Sequence, residues 1–128
     1  MTAELDVYIA TSGPYRLGFV STQIASTAPC PSFDSSQVER PGILGAHDGM
    51  VVVHPAWLWG QAAMEQAPQQ LLVVRTGVCA LAVDSCRLQR VVIDPPPAAM
   101  AGSGVVFGIA RTAEGMTPVV DLACVPLV

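Results

Sequence analysis

The sequence is short of charge. Asp, Glu, Lys and Arg together make up 12% of its 128 residues, about half the share usual in a soluble domain. Lysine is absent, and the six arginines (Arg16, Arg40, Arg75, Arg87, Arg90, Arg111) are scattered. Binding nucleic acid requires clustered cations to neutralise phosphates. A net charge of −4, a pI near 4.8 and no basic stripe argue against it. Two Trp, two Tyr and three Phe, spread along the chain, build no base-stacking platform. None of the four cysteines (Cys30, Cys79, Cys86, Cys124) stands in a C-x-x-C pair, which excludes zinc-knuckle and thioredoxin-type motifs.

Long apolar runs are missing too, although 52% of residues are hydrophobic. The greasiest stretch, Met50 to Met64, is interrupted by His54, Pro55, Gly60 and Gln61. A spanning helix needs about 20 consecutive, mostly apolar residues, so no membrane insertion is expected. The start of the chain carries Glu4 and Asp6 and no basic residue, unlike a secretory signal. The expectation is a cytoplasmic protein with reduced thiols, Cys79 and Cys124 being small core residues. So little charge leaves apolar surface exposed, and such patches often mark protein contacts. A codon bias toward Ala, Val, Gly and Pro accounts for the composition equally well.

What the sequence does contain is short β runs between turn residues. Asp6–Thr11, Tyr15–Val20, Met50–Val53, Leu71–Arg75, Val78–Asp84, Gln89–Ile93, Val105–Ala110 and Thr117–Leu122 read as strands, a spacing that suits a small barrel or sandwich. One helix is expected, from Pro55 to about Gln66, since proline is tolerated in a first helical turn. The polar Cys30–Pro41 segment reads as a loop. Asp94-Pro95-Pro96-Pro97 ends a strand, because proline cannot donate to a ladder.

The chain also echoes itself. Gly42-Ile43 precedes Gly49-Met50 by seven positions, as Gly108-Ile109 precedes Gly115-Met116, and Val53 falls on Val119. In both copies an acid stands before the second glycine, as Asp48-Gly49 and Glu114-Gly115, a hairpin-turn signal. A weaker echo sets Gly13, Leu17, Ser21 and Ile24 on Gly77, Leu81, Ser85 and Leu88. One domain of two similar β subdomains follows, about 14–66 and about 69–122, with exchange of terminal strands between them allowed. Units this small are marginal alone and should share an interface.

Groups that could carry chemistry have blander readings. His47 and His54 lack a third ligand for a metal site, and read as a turn residue and a strand end. Asp84 and Asp121 could form a paired-carboxylate site, but carboxylates at strand ends more often accept main-chain bonds. No G-x-S-x-G elbow or phosphate-cradling glycine loop is present. No catalytic residue, cofactor or metal is expected. Trp57 and Trp59 do not share a helical face, so one of them is a candidate anchor for a partner.

Taken in order, these motifs resemble the CheW-like domain of bacterial chemotaxis coupling proteins, over about Val7 to Leu127. Tyr15-Arg16-Leu17 looks like that family's Y-x-L strand, and Gly42–Val53 like its G-V-I-N-L-R-G-x-V-V-P-V stretch. Ala80-Leu81-Ala82-Val83-Asp84 looks like its G-L-x-V-D strand. Gly108-Ile109-Ala110-Arg111 with Gly115–Leu122 looks like its closing hairpin. The resemblance implies an all-β fold of two small SH3-like five-stranded β-barrels packed together. It implies a non-catalytic adaptor between a methyl-accepting chemoreceptor and a CheA-type histidine kinase. The family's docking turn corresponds to Leu44, Ala46, His47 and Asp48, which makes these the candidate protein-binding residues. Here the family's N-L-R-G reads Gly45-Ala46-His47-Asp48, so its arginine has become His47 and its glycine Asp48. The alternative is a divergent, self-assembling module of the same fold that binds no receptor.

Overall fold

The structure, a computed structural model, describes residues 3–13, 15–32, 43–55, 67–98 and 106–122. Ten strands account for most of them. They are β1 (Ala3–Ser12), β2 (Tyr15–Val20), β3 (Ile24–Pro29), β4 (Ile43–His47), β5 (Met50–Val53), β6 (Gln70–Val74), β7 (Cys79–Val83), β8 (Ser85–Asp94), β9 (Val106–Thr112) and β10 (Gly115–Val120). A 3-10 turn at Ser21–Gln23 joins β2 to β3. The all-β expectation is met, and all eight expected strands are present. The expected helix lies outside the described residues beyond Pro55, as do Trp57, Trp59, Cys124 and most of the Cys30–Pro41 loop.

The strands form two units of five. One is a closed barrel in the order β1-β2-β10-β9-β8, the other a sheet in the order β3-β6-β7-β5-β4. Read from β8 round to β9, the barrel order is β8-β1-β2-β10-β9, which matches the second unit strand for strand. In each, an antiparallel hairpin (β1–β2 or β6–β7) is joined in parallel to the second strand of another hairpin, β10 with β2 and β5 with β7. The sequence echo follows this equivalence. Leu17 on β2 answers Leu81 on β7, and Gly13 and Gly77 sit in the preceding turns with φ of 57° and 78°.

Sheet membership cuts across the expected halves 14–66 and 69–122. The β6–β7 hairpin lies with β3–β5, and the β1–β2 hairpin lies with β8–β10. Each repeat thus gives its leading hairpin to the other unit. This ties the two together through the chain as well as through packing.

Three apolar clusters result from strand alternation, which sends successive side chains to opposite faces. Val7, Ile9, Val91, Ile93, Ala110 and Val119 fill the barrel. Leu44, Val52, Leu71, Ala80 and Ala82 line the inner face of the second unit. The alternate residues of the same strands, among them Ala10, Leu17, Phe19, Val53, Leu72, Leu81 and Val83, meet between the units. Full burial of each large side chain contributes about 1.5–3 kcal/mol, so the interface is a core in its own right.

Candidate protein-docking site

The β4–β5 hairpin carries the four residues expected to face a partner. Its two-residue turn is Asp48-Gly49, with φ of 51° and 78°. Left-handed geometry at both central residues is the type I′ turn, whose twist matches the flanking strands. Aspartate tolerates that conformation better than most residues. The turn presents Asp48, exposed, with its Oδ2 3.4 Å from His47 Nε2. His47 is half-buried and Ala46 exposed. Leu44 is different: only 5% of it is exposed, and it packs on Val52, Leu71, Ala80 and Ala82. Three of the four candidates therefore share the surface of one hairpin end, while Leu44 supports it from the core.

The equivalent hairpin of the barrel is held differently. Its turn runs over Ala113-Glu114, one position earlier than the Glu114-Gly115 pair suggested, and Gly115 follows with φ 122°. Neither turn residue has a positive φ, and from Gly115↔Thr112 the ladder runs without a register shift to Val119, so this is not the left-handed turn of β4–β5. Glu114 is tethered: Arg87 Nη2 donates to its Oε1 at 2.9 Å and Arg16 Nη1 to its carbonyl at 3.2 Å. A hydrogen bond from its own main chain does most to hold its carboxyl below the usual range; desolvation opposes this, and Arg87 and then Arg16 lower it further. Among the described residues, the β4–β5 turn has only the His47–Asp48 contact.

The groups weighed for catalysis have structural tasks. Asp84 Oδ2 accepts from the main-chain N–H of Gly13 at 3.0 Å, fixing the β1–β2 turn. Asp121 Oδ1 accepts from Gln23 Nε2 at 2.8 Å. His54, directly after β5, is 2% exposed. Burial lowers its pKa, and nearby Asp84 opposes that shift. Burial raises the pKa of Cys30, Cys79 and Cys86, so these thiols stay protonated and unreactive. Among the described residues, no three His, Cys, Asp or Glu side chains gather as a metal site would require, and no helix is long and apolar enough to cross a membrane.

Two surfaces went unread in the sequence. One is the outer face of the barrel, where Val92 on β8 and Met116 on β10 flank Arg111 on β9. Phe107 lies on the same face of β9, and Arg111 is bonded to Asp94 at 2.7 and 2.9 Å. Phe107 is 46% and Met116 70% exposed. The other is a mainly apolar pocket of about 300 Å³ where the 3-10 turn meets the β6–β7 turn and Leu122. Neither has a linear motif, because its residues come from segments far apart in the chain.

No protein-family model matches the sequence, and no curated protein matches it either. Solved structures do. The scaffolding protein TtCheW from Thermoanaerobacter tengcongensis superposes with a TM-score of 0.62 at 16% identity, over 94% of this chain and 90% of that one. The chain therefore has the CheW fold.

Proposed function

We propose that this chain is a non-catalytic adaptor of a bacterial chemosensory pathway, acting in the cytoplasm and coupling a methyl-accepting chemoreceptor to a CheA-type histidine kinase. The observation that carries this reading is the shared fold with a scaffolding protein along nearly the whole chain. Ala46, His47 and Asp48 form the docking surface, supported by Leu44. Their hairpin end is exposed and, among the described residues, tethered only by the His47–Asp48 contact. The test is a pull-down with the tagged chain from its native lysate, read by mass spectrometry. Recovery of a CheA-type kinase or a chemoreceptor is expected, and its loss on replacing His47 and Asp48 with large residues, with an unchanged thermal melt. Binding unaffected by that change would sink the site. Failure to recover either partner, where a known coupling protein captures its kinase, would sink the function.

A second reading is self-association, favoured by the exposed Phe107 and Met116 on the barrel face. Light scattering across a dilution series separates the two, since a monomeric adaptor shows one mass throughout.

A further inference from the structure

A cavity of about 320 Å³ opens at one end of the second unit. Among the described residues its walls come from three segments of the chain. They are Cys30 and Pro31 directly after β3, Leu44 on β4, and Ala67, Pro68 and Gln69 directly before β6. The cavity thus lies at the seam between β3 and β4, the two ends of the sheet.

The walls are braced by bonds that need no occupant. The Cys30 N–H donates to the Gln69 carbonyl and the Gln69 N–H to the Val83 carbonyl, both at 3.0 Å. This ties the end of β3 to the start of β6, and that in turn to β7. Gln69 Nε2 donates to the Ala67 carbonyl at 3.1 Å, and the Cys30 thiol to the Pro31 carbonyl at 3.3 Å. Pro31 and Pro68 have φ fixed by their rings, and Pro68 and Leu44 are buried. Such walls lose little freedom when a molecule is seated against them, which is how preorganisation raises affinity.

The chemistry of the walls selects the occupant. Leu44, Ala67 and the two proline rings are apolar, while the polar groups are the Gln69 carboxamide, the Ser32 hydroxyl and the Cys30 thiol. All three are uncharged: burial raises the Cys30 pKa, so its sulfur keeps its proton. A carboxamide both donates and accepts hydrogen bonds, so it can pair with a neutral hydroxyl or amide. An ion seated here would exchange its hydration for neutral partners, which is costly. Ligand sites are mostly apolar concavities with a few placed polar groups, from about 300 Å³ upward. This cavity is at the lower end of that range and fits a molecule with a single ring.

We propose that the cavity binds a small uncharged molecule, an apolar ring bearing one hydrogen-bonding group, with the Gln69 carboxamide as its polar contact. The proposal is independent of the adaptor reading, since it calls on no partner protein.

The probe is 4-methylphenol, titrated into the isotopically labelled full chain and followed by amide chemical shifts. The signals of Cys30, Leu44 and Gln69 should move along one saturating curve, while those of Phe107 and Met116 on the barrel face stay still. Toluene, which lacks the hydroxyl, should bind about three- to tenfold more weakly, and Gln69→Leu should weaken 4-methylphenol by the same factor while leaving toluene unchanged. The ion 4-methylbenzoate should not saturate the site. Ala67→Trp, which fills the cavity from an exposed position, should abolish binding, with circular dichroism and the thermal melt showing that it folds. Where it does not fold, the toluene and Gln69→Leu comparison decides. Shifts that grow without saturating, or that spread equally over the Phe107 face, overturn the proposal, because the ring would then only coat apolar surface. So does 4-methylbenzoate binding as tightly as 4-methylphenol, which would make the site one for anions. Binding unchanged in a folded Ala67→Trp or in Gln69→Leu places the probe elsewhere and overturns it too.

Discussion

The barrel and the second sheet are built from equivalent strands in the same order, yet among the described residues one is closed and the other open. Closure comes from β8 pairing with β9 through Val92↔Arg111, Ile93↔Ala110 and Asp94↔Ile109. The corresponding strands, β3 and β4, form opposite ends of the second sheet. Pro29, the last residue of β3, and Pro31 flank Cys30. The Cys30 N–H donates inward along the sheet, to the Gln69 carbonyl of the β6 side. By strand alternation the nitrogens of Pro29 and Pro31 face the open seam, and a proline nitrogen has no hydrogen to donate. Proline at an edge also discourages pairing with other chains. Two prolines thus line the outer edge of β3, which among the described residues is not paired with β4.

The sharpest way to break this comparison is at Gly108. A Cβ there would lie 2.6 Å from the Asp94 carbonyl and collide with Ile93 Cγ2, the residues through which β8 closes on β9. Gly108→Ala should cost about 1–3 kcal/mol as overpacking, read as a lower urea midpoint. Gly49→Ala meets no atom within 4 Å, but forces alanine to a φ of +78°, for about 1–2 kcal/mol. We expect Gly108→Ala to raise hydrogen exchange along β8 and β9, and Gly49→Ala to raise it only in β4 and β5. Matching exchange patterns would mean that the barrel is not held by its β8–β9 seam.

A smaller effect separates the interiors. Thr117 is fully buried in the barrel, and its hydroxyl finds no hydrogen-bond partner among the described residues. A buried unsatisfied group costs about 1–3 kcal/mol. Thr117→Val removes it at nearly the same volume, and we expect a stabilisation of about 1 kcal/mol and a higher Tm. An unchanged or lower Tm would show that the hydroxyl is satisfied in solution.

How legible this was depended on burial. Strands with a buried face, such as β1 with Val7 and Ile9 and β7 with Cys79, Leu81 and Val83, announce themselves by apolar content. The β3 strand was missed because Ala25, Ser26 and Thr27 are exposed and its one large buried residue is Ile24, so no alternation exists to read. The glycine echo located both hairpins but put the second turn one residue late, since Gly115 opens β10 after its turn where Gly49 lies within its own. In the candidate site, Asp48-Gly49 was readable as a turn, whereas the burial of Leu44 depended on a bulge that skips it in the β4–β5 ladder. The exchange of hairpins between units was only an allowance in the sequence reading, because local patterning is the same whichever neighbour a strand pairs with.

The smallest expected effect concerns the second unit and the protonation of His54. Burial holds its pKa below the ordinary value near 6.5, with Asp84 offsetting part of the shift. As pH falls through about 6.5, the unfolded chain takes up a proton that the folded chain still refuses. Stability contributed by neutral His54 is therefore complete above that pH and is lost below it, until the lower folded pKa is passed. Urea midpoints measured from pH 8 to pH 5.5 should decline below about 6.5 in the parent, and His54→Gln should flatten that slope. Since His54 follows β5, local exchange should respond to acid first in β5 and β7 while the barrel interior stays protected. Acid-sensitive exchange beginning in β8 and β9 instead would assign the proton to another group and leave the closed unit as the weaker of the two.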